Sequence, residues 1–262
     1  MKIKILLFGF PLAFACNGEK EDDATDTTEE TVTEEPETTE TAAEEVQIND
    51  AFSEFSENVT TYLDGEEVVI ETNGLPNHTS PYWSTGHELY VAPTVTSEQA
   101  MAPGNIDDFN GSYTLRVPAS PEKASASTAT GMGAIGIAVS GSVIYNDQEG
   151  ENVPLDNAAP SLDYTGAHTG PNSYHYHLET KAWSEDDEKL IGIMADGFFL
   201  YGRRCNSTGT YPEDLDESGG HTHTTQHGTS DSYHYHIQND LYLEQYYILF
   251  PGDFQGTPSS VQ

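Results

Sequence analysis

One eleven-residue pattern occurs twice in this chain, and that repetition limits the possible folds more than any other feature. Ile135-Gly136-Ile137-Ala138-Val139-Ser140-Gly141-Ser142-Val143-Ile144-Tyr145 and Ile191-Gly192-Ile193-Met194-Ala195-Asp196-Gly197-Phe198-Phe199-Leu200-Tyr201 both read Ile-Gly-Ile-x-x-(Ser or Asp)-Gly-x-x-(Ile or Leu)-Tyr. Each is a pair of apolar runs joined by a polar-Gly link, which predicts a hairpin with a two-residue type I′ turn, because both link positions tolerate positive φ. Two further blocks repeat in the same order. Leu162-Asp163-Tyr164-Thr165-Gly166-Ala167-His168 is echoed by Leu215-Asp216-Glu217-Ser218-Gly219-Gly220-His221, and Ser173-Tyr174-His175-Tyr176-His177 by Ser232-Tyr233-His234-Tyr235-His236. The chain therefore contains an internal duplication, with repeat units at about 133–178 and 189–238 and a His-rich insertion, 222–228, in the second. Two such units are suited to packing around a pseudo-twofold axis.

The remaining sequence fits the same class. Short β-rich runs at 68–71, 112–117, 134–145, 173–178, 190–201, 232–237 and 241–250 are separated by Gly, Pro, Asn and Ser, and no segment sustains helical periodicity. Residues 44–59 carry at most a short helix. The expected architecture is an all-β domain over residues 58–262, sandwich-like or barrel-like, with the duplication inside it.

Eight of the ten histidines lie between His168 and His236. Side chains alternate along a strand, so His175 and His177 share one face and Tyr174 and Tyr176 the other. His234 and His236 repeat this, opposed by Tyr233 and Tyr235. Two imidazoles on one face are close enough to chelate one ion, and neutral imidazole suits zinc, copper, nickel and iron(II). A lone His-x-His is usually surface decoration. Two copies, each preceded by a histidine in the repeated Leu-Asp-x-x-Gly-x-His block, point instead to a metal. The expected ligands are His168, His175, His177, His221, His234 and His236, with the two His-x-His strands side by side and their imidazoles in one shared site. Asp163 and Asp216 are candidates either to orient ligand rings or to close Asx turns. The tyrosines read as core packing, Asp196 as a turn residue and Cys205 as a buried, inert thiol. His223 and His227 read as exposed members of the insertion, forming at most a weaker accessory site.

The two Tyr-His-Tyr-His strings, the run Ala195-Asp196-Gly197-Phe198-Phe199-Leu200-Tyr201-Gly202, and Leu215-Asp216-Glu217 leading to His221 resemble the bacterial YHYH-domain family. Asn73-Gly74-Leu75-Pro76-Asn77-His78 is similar to a segment near the start of that domain. The resemblance spans roughly residues 66–250 and implies a secreted or surface domain, with no reaction attached to it. The His- and Thr-rich loop before the second string departs from the family pattern. That leaves His221, His223 and His227 as alternatives for one family position, and His78 as either a further ligand or a turn residue.

The chain has 44 acidic and 9 basic side chains, for a formal net charge of −35. That disfavours nucleic acid as a partner, since a phosphate backbone is gripped by Lys and Arg clusters. Two cysteines exclude a disulfide scaffold. Lys2 and Lys4 precede an apolar run, residues 5–15, that is too short to span a bilayer and reads as a secretory signal over residues 1–15. Its end, Leu12-Ala13-Phe14-Ala15-Cys16, resembles a bacterial lipoprotein signal, in which Cys16 becomes the lipidated first residue. Glu, Asp, Thr and Ala dominate residues 17–50, so residues 16–57 are expected to form a disordered acidic tether between lipid and domain. The leading expectation is a lipoprotein of the outer membrane or cell surface that binds copper or zinc, with the lipid anchor as its only membrane contact. A metalloenzyme with an open coordination position at the same site is the alternative, and a glycan-binding or adhesion module a second one. If Cys16 is lipidated, Cys16→Ser will shift the protein from the membrane fraction to the soluble exported fraction; unchanged partition would refute the anchor.

Overall fold

The computed structural model describes residues 46–93, 106, 107, 109, 111–170, 173–180 and 187–262. The signal, Cys16 and the acidic run up to residue 45 lie outside these. Strands β1 (Val59–Asp64), β2 (Glu67–Thr72) and β3 (Tyr113–Pro118) form a three-stranded antiparallel sheet. Strands β4 (Gly136–Ala138), β5 (Val143–Ile144), β8 (Ala167–Gly170), β9 (Ser173–Tyr176), β10 (Leu190–Met194), β11 (Phe199–Tyr201), β12 (Gly220–His223) and β13 (Ser232–His236) form an eight-stranded one, while β6 (Gln148–Gly150) and β7 (Val153–Pro154) pair as a small ribbon. The described residues contain no α-helix, and no helix there is long and apolar enough to cross a membrane. The fold is all-β and sandwich-like, with no closed barrel. Val68, Ile70, Leu115 and Val117 of the small sheet share one core with Ile137, Ile144, Ile193, Leu200, Tyr174, Tyr176 and Tyr235 of the large one.

The large sheet runs in the order β12-β13-β11-β10-β4-β5-β9-β8, so the two repeats form its two halves. They meet where β10 pairs antiparallel with β4 and Ile193 faces Ile137. Outward from that seam each half repeats the other. Leu200 faces Tyr235 in parallel pairing, as Ile144 faces Tyr176. His221 faces His234 in antiparallel pairing, as His168 faces His175. Even the bonds across the seam are exchanged: Val139 N donates to Ile191 O and Ala195 N to Ile135 O, each at 2.9 Å.

The Ile-Gly-Ile spelling follows from that seam. A Cβ at Gly192 would lie 2.3 Å from Ile137 O and 2.8 Å from Ala138 Cα, and one at Gly136 would lie 2.6 Å from Ile193 O. Backbone, unlike a flexible side-chain tip, cannot swing away.

Three sequence expectations are corrected. The hairpin links are three-residue loops rather than two-residue type I′ turns. Gly141 N donates to Ala138 O while Ala138 N bonds Ser142 O; Gly197 N donates to Met194 O while Met194 N bonds Phe198 O. Only Gly141 (φ 101°) and Gly197 (φ 90°) take positive φ in these loops, the geometry of a turn closed by a glycine bulge. Residues 241–250 are not a strand, because Leu243 and Glu244 adopt left-handed φ of 51° and 58° and turn the chain back, with Tyr242 bridging Tyr246. The run is apolar because Leu249 and Phe250 are buried. Packing also begins before residue 58: Ala51 and Phe52, in a 3-10 turn (Asp50–Glu54) capped by Asn49, are buried against the large sheet.

Gly192→Ala is expected to destabilise the domain by about 2 kcal/mol, the usual scale of overpacking. Gly228→Ala, where a Cβ meets nothing within 4 Å, should stay within about 0.5 kcal/mol of the parent. Urea unfolding of the two variants checks this; equal stabilities would dismiss the close approach as a constraint.

Candidate metal centres

The sites are built from the tyrosine side of the strands. In the first repeat Tyr174 donates its hydroxyl to Asp163 Oδ2 at 2.6 Å, and the Tyr176 hydroxyl meets Ser140 Oγ at 2.7 Å and His78 Nε2 at 2.5 Å. In the second, Tyr233 donates to Asp216 Oδ2 at 2.9 Å and Tyr235 to Asp196 Oδ2 at 2.5 Å. Burial and the adjacent carboxylates hold the Tyr174 and Tyr235 hydroxyls well above the ordinary phenol range, so they remain donors. Asp163 and Asp216 also accept backbone amides, Thr165 N at 2.8 Å and Gly220 N at 3.0 Å. They are Asx-turn residues that anchor tyrosines and touch no ligand imidazole, which overturns the ring-orienting role. The turn residue Asp196, and Ser140 in the same position of the first hairpin, each reach across to the second tyrosine of the adjacent string. His78 lies on this tyrosine face, with Nδ1 at 2.9 Å from Thr79 O, and is no part of either imidazole cluster.

With the tyrosines fixed inward, alternation puts the histidines on the opposite face, where they form two clusters. His168, His175 and His177 have ring centroids 4.6, 5.2 and 4.9 Å apart. His221, His234 and His236 repeat this at 4.8, 5.0 and 4.9 Å. In the first cluster one donor atom from each ring, and in the second one from each ring plus Cys205 Sγ, lie within 4.8 Å of one another.

Hydrogen bonds decide which nitrogen faces inward. His177 Nδ1 donates to Asn146 O at 2.7 Å, His236 Nδ1 to Gly202 O at 2.6 Å, and His234 Nδ1 to Ser232 O at 2.9 Å. His221 Nδ1 meets Asp214 Oδ1 at 2.9 Å, and His175 Nδ1 meets Ser173 Oγ at 3.2 Å. A carbonyl accepts only from N–H, so these bonds leave the lone pair on Nε2 in His177, His234 and His236, and the acceptor-only Asp214 carboxylate does the same for His221. The Nε2 atoms of His177, His221 and His236 are buried with no hydrogen-bond partner. Buried polar atoms are normally paired. Imidazoles tied through Nδ1 with Nε2 bare are the arrangement of metal-ligating histidines, so the residues present fit a metal ion. Burial, reinforced by the neighbouring rings, lowers His168 to about 4 and His234 to about 3; burial lowers His236 to about 4 and also depresses His175 and His177.

All six expected ligands are therefore grouped by the fold, but into two sites rather than one. Each His-x-His strand pairs in parallel with the second strand of its own hairpin, which carries β9 and β13 away from each other on either side of the seam. Four strands lie between them in the sheet, so the centres stand roughly 24 Å apart at ordinary strand spacing. Register also decides among the insertion histidines: His221 faces His234 and holds the position of His168. His223 is half-exposed and shares the Asp214 carboxylate, with Nε2 at 3.1 Å from Oδ2. His227 instead meets Tyr201 Oη at 3.0 Å through Nδ1 and is not in a cluster.

Two participants escape a reading of the sequence. Asp214, its carboxyl held down to about 2 mainly by the hydrogen bond from His221, orients that ring. Cys205 is buried but not isolated, because its sulfur stands among three imidazoles. Burial pushes its thiol up, yet the Ser207 hydroxyl and amide and the His221 ring outweigh this and leave it below the ordinary thiol value. Aligning the repeats gives the signal that was available. Cys205 follows Gly202, whose carbonyl holds His236, by three residues, as Glu149 follows Asn146, whose carbonyl holds His177. Glu149 Oε2 lies 3.6 Å from His168 Nε2.

The depressed imidazoles fix a pH dependence. His168, His234 and His236 stay neutral in the fold down to about 4, 3 and 4, and burial depresses His175 and His177 with them, whereas in the unfolded chain these rings take up protons below about 6.5. The unfolded state then binds more protons, so stability is complete above pH 6.5 and declines as pH falls toward 4. The melting temperature of metal-free protein is expected to drop steadily across that window. A flat profile there would mean the rings are solvated in the native state.

Residues 114–213 match the model of the family described as YHYH protein. This span is narrower than 66–250. It takes in both Ile-Gly-Ile hairpins, the first Tyr-His-Tyr-His string and Cys205, and stops before His221 and the second string. No curated protein and no solved structure matches the chain. The match supports the resemblance drawn from the Tyr-His-Tyr-His strings, over residues 114–213.

Proposed function

We propose that this chain holds a copper or zinc ion in each of two histidine centres and so captures or buffers metal at the cell surface. The observation that carries the reading is the set of bare, buried Nε2 atoms on His177, His221 and His236. A buried polar atom without a partner costs about 1–3 kcal/mol, and one ion per centre would satisfy them. Burial keeps His168, His175, His177, His234 and His236 neutral at physiological pH. Nδ1 hydrogen bonds already orient His177, His221, His234 and His236, so binding requires little proton release or rearrangement from these rings. The strongly acidic chain adds a field that concentrates cations around the domain.

One feature favours a metalloenzyme at the first centre as a second reading. Three imidazoles leave a coordination position free for water or substrate. Beside them Glu149 carries a carboxyl raised by burial, a suitable proton acceptor for bound water.

Metal analysis of untagged protein is expected to give about two ions per chain. His177→Ala and His236→Ala should each remove about one, and the double variant nearly all, since sites this far apart act additively. Loss of all metal in either single variant would restore the shared site. Full retention in the double variant would end the metal reading.

A further inference from the structure

Resting on that reading, we infer that the two centres are chemically different. The second is a closed four-donor thiolate site, in which Cys205 joins His221, His234 and His236 around a thiophilic ion, Cu(I) or zinc. Cys205 is completely buried, which is where a structural cysteine also sits, so burial alone says nothing. The surroundings are what separate the two roles. Its sulfur lies within 4.8 Å of one nitrogen donor on each of three imidazoles. Two of those rings, His221 and His236, are only 5% and 2% exposed and present partnerless Nε2 atoms. A thiol serving only as packing would be met by apolar atoms.

The backbone also fixes the sulfur in place. Cys205 N donates to Thr210 O at 3.0 Å and Gly209 N to Cys205 O at 2.8 Å, closing a tight loop around the residue. Ser207 Oγ lies 3.1 Å from the sulfur, close enough to donate to a thiolate. On binding, the S–H proton leaves to solvent and the sulfur lone pair forms the metal–sulfur bond; with Cu(I) or zinc nothing is oxidised or reduced. Soft thiolate favours these ions over harder ones.

The first repeat has no sulfur at the matching place. Glu149 stands there, a hard oxygen donor beside His168. Duplication would have produced two equal centres, and at this position they differ in the donor beside the three imidazoles.

Cobalt(II) tests the inference on the full chain carrying Cys16→Ser, so that Cys205 is the sole thiol. About two cobalt ions per chain are expected, one giving a near-ultraviolet thiolate-to-cobalt charge-transfer band. The band should survive His175→Ala and vanish in His234→Ala, which assigns it without any change at Cys205. Cys205→Ser should abolish the band, leave the first centre's cobalt in place and weaken zinc at the second at least about tenfold. Two bound cobalt ions without the band would overturn the thiolate ligand while leaving the metal-binding reading intact. No bound cobalt would overturn both.

Discussion

The hydrogen bonds of four tyrosine hydroxyls govern the rest of this structure. Tyr174, Tyr176, Tyr233 and Tyr235 each reach a carboxylate or hydroxyl on the core side of the large sheet. In a strand a slip of one residue turns every side chain to the other face. Such a slip here would bury imidazoles against Ile137 and Ile193 and leave Asp163 and Asp196 without their donors. The polar bonds thus select the register, and the register delivers the histidines to the opposite face. The repeated Leu-Asp-x-x-Gly-x-His block joins both effects in one turn, since its aspartate anchors a tyrosine and its histidine, five residues on, enters a cluster.

Two centres rather than one follow from how the repeats join. Their shared surface is the β4–β10 seam and the apolar core beneath it, whereas each imidazole cluster sits at an outer flank of the sheet and draws all its rings from its own repeat. The two clusters share no ligand. The second flank carries Cys205, the carboxylate of Asp214 and more residues between β12 and β13 than the first has between β8 and β9, and the first has Glu149 where the second has the cysteine.

Much of this was legible in the sequence because it rests on local periodicity. Alternation put Tyr and His on opposite faces, the glycine links marked hairpins, and the repeated blocks marked the duplication. The pairing of strands was not legible. Nothing in Ser173 to His177 says that it lies parallel to Val143 and Ile144 rather than beside Ser232 to His236, and that choice separates one site from two. The short edge strands β8 and β12 were missed for a related reason: Ala-His-Thr-Gly and Gly-His-Thr-His carry no apolar pattern and are strands only because β9 and β13 supply partners. The roles of Asp163 and Asp216 depended on which face each carboxylate met. Cys205 could be recognised only by counting from a carbonyl whose own function the fold reveals.

The seam between β4 and β10 has the form of an isologous interface. Ile137 meets Ile193, each repeat gives the other the same backbone hydrogen bond, and each lacks a side chain where the other approaches. Two separate copies of one repeat would make this contact through a true twofold axis. A single repeat by itself would present β4 as a flat, apolar, unpaired edge, the kind of surface that recruits another strand. The domain is in this sense a dimer written into one polypeptide: covalent linkage keeps the edges paired at any concentration and frees the two halves from having to be identical.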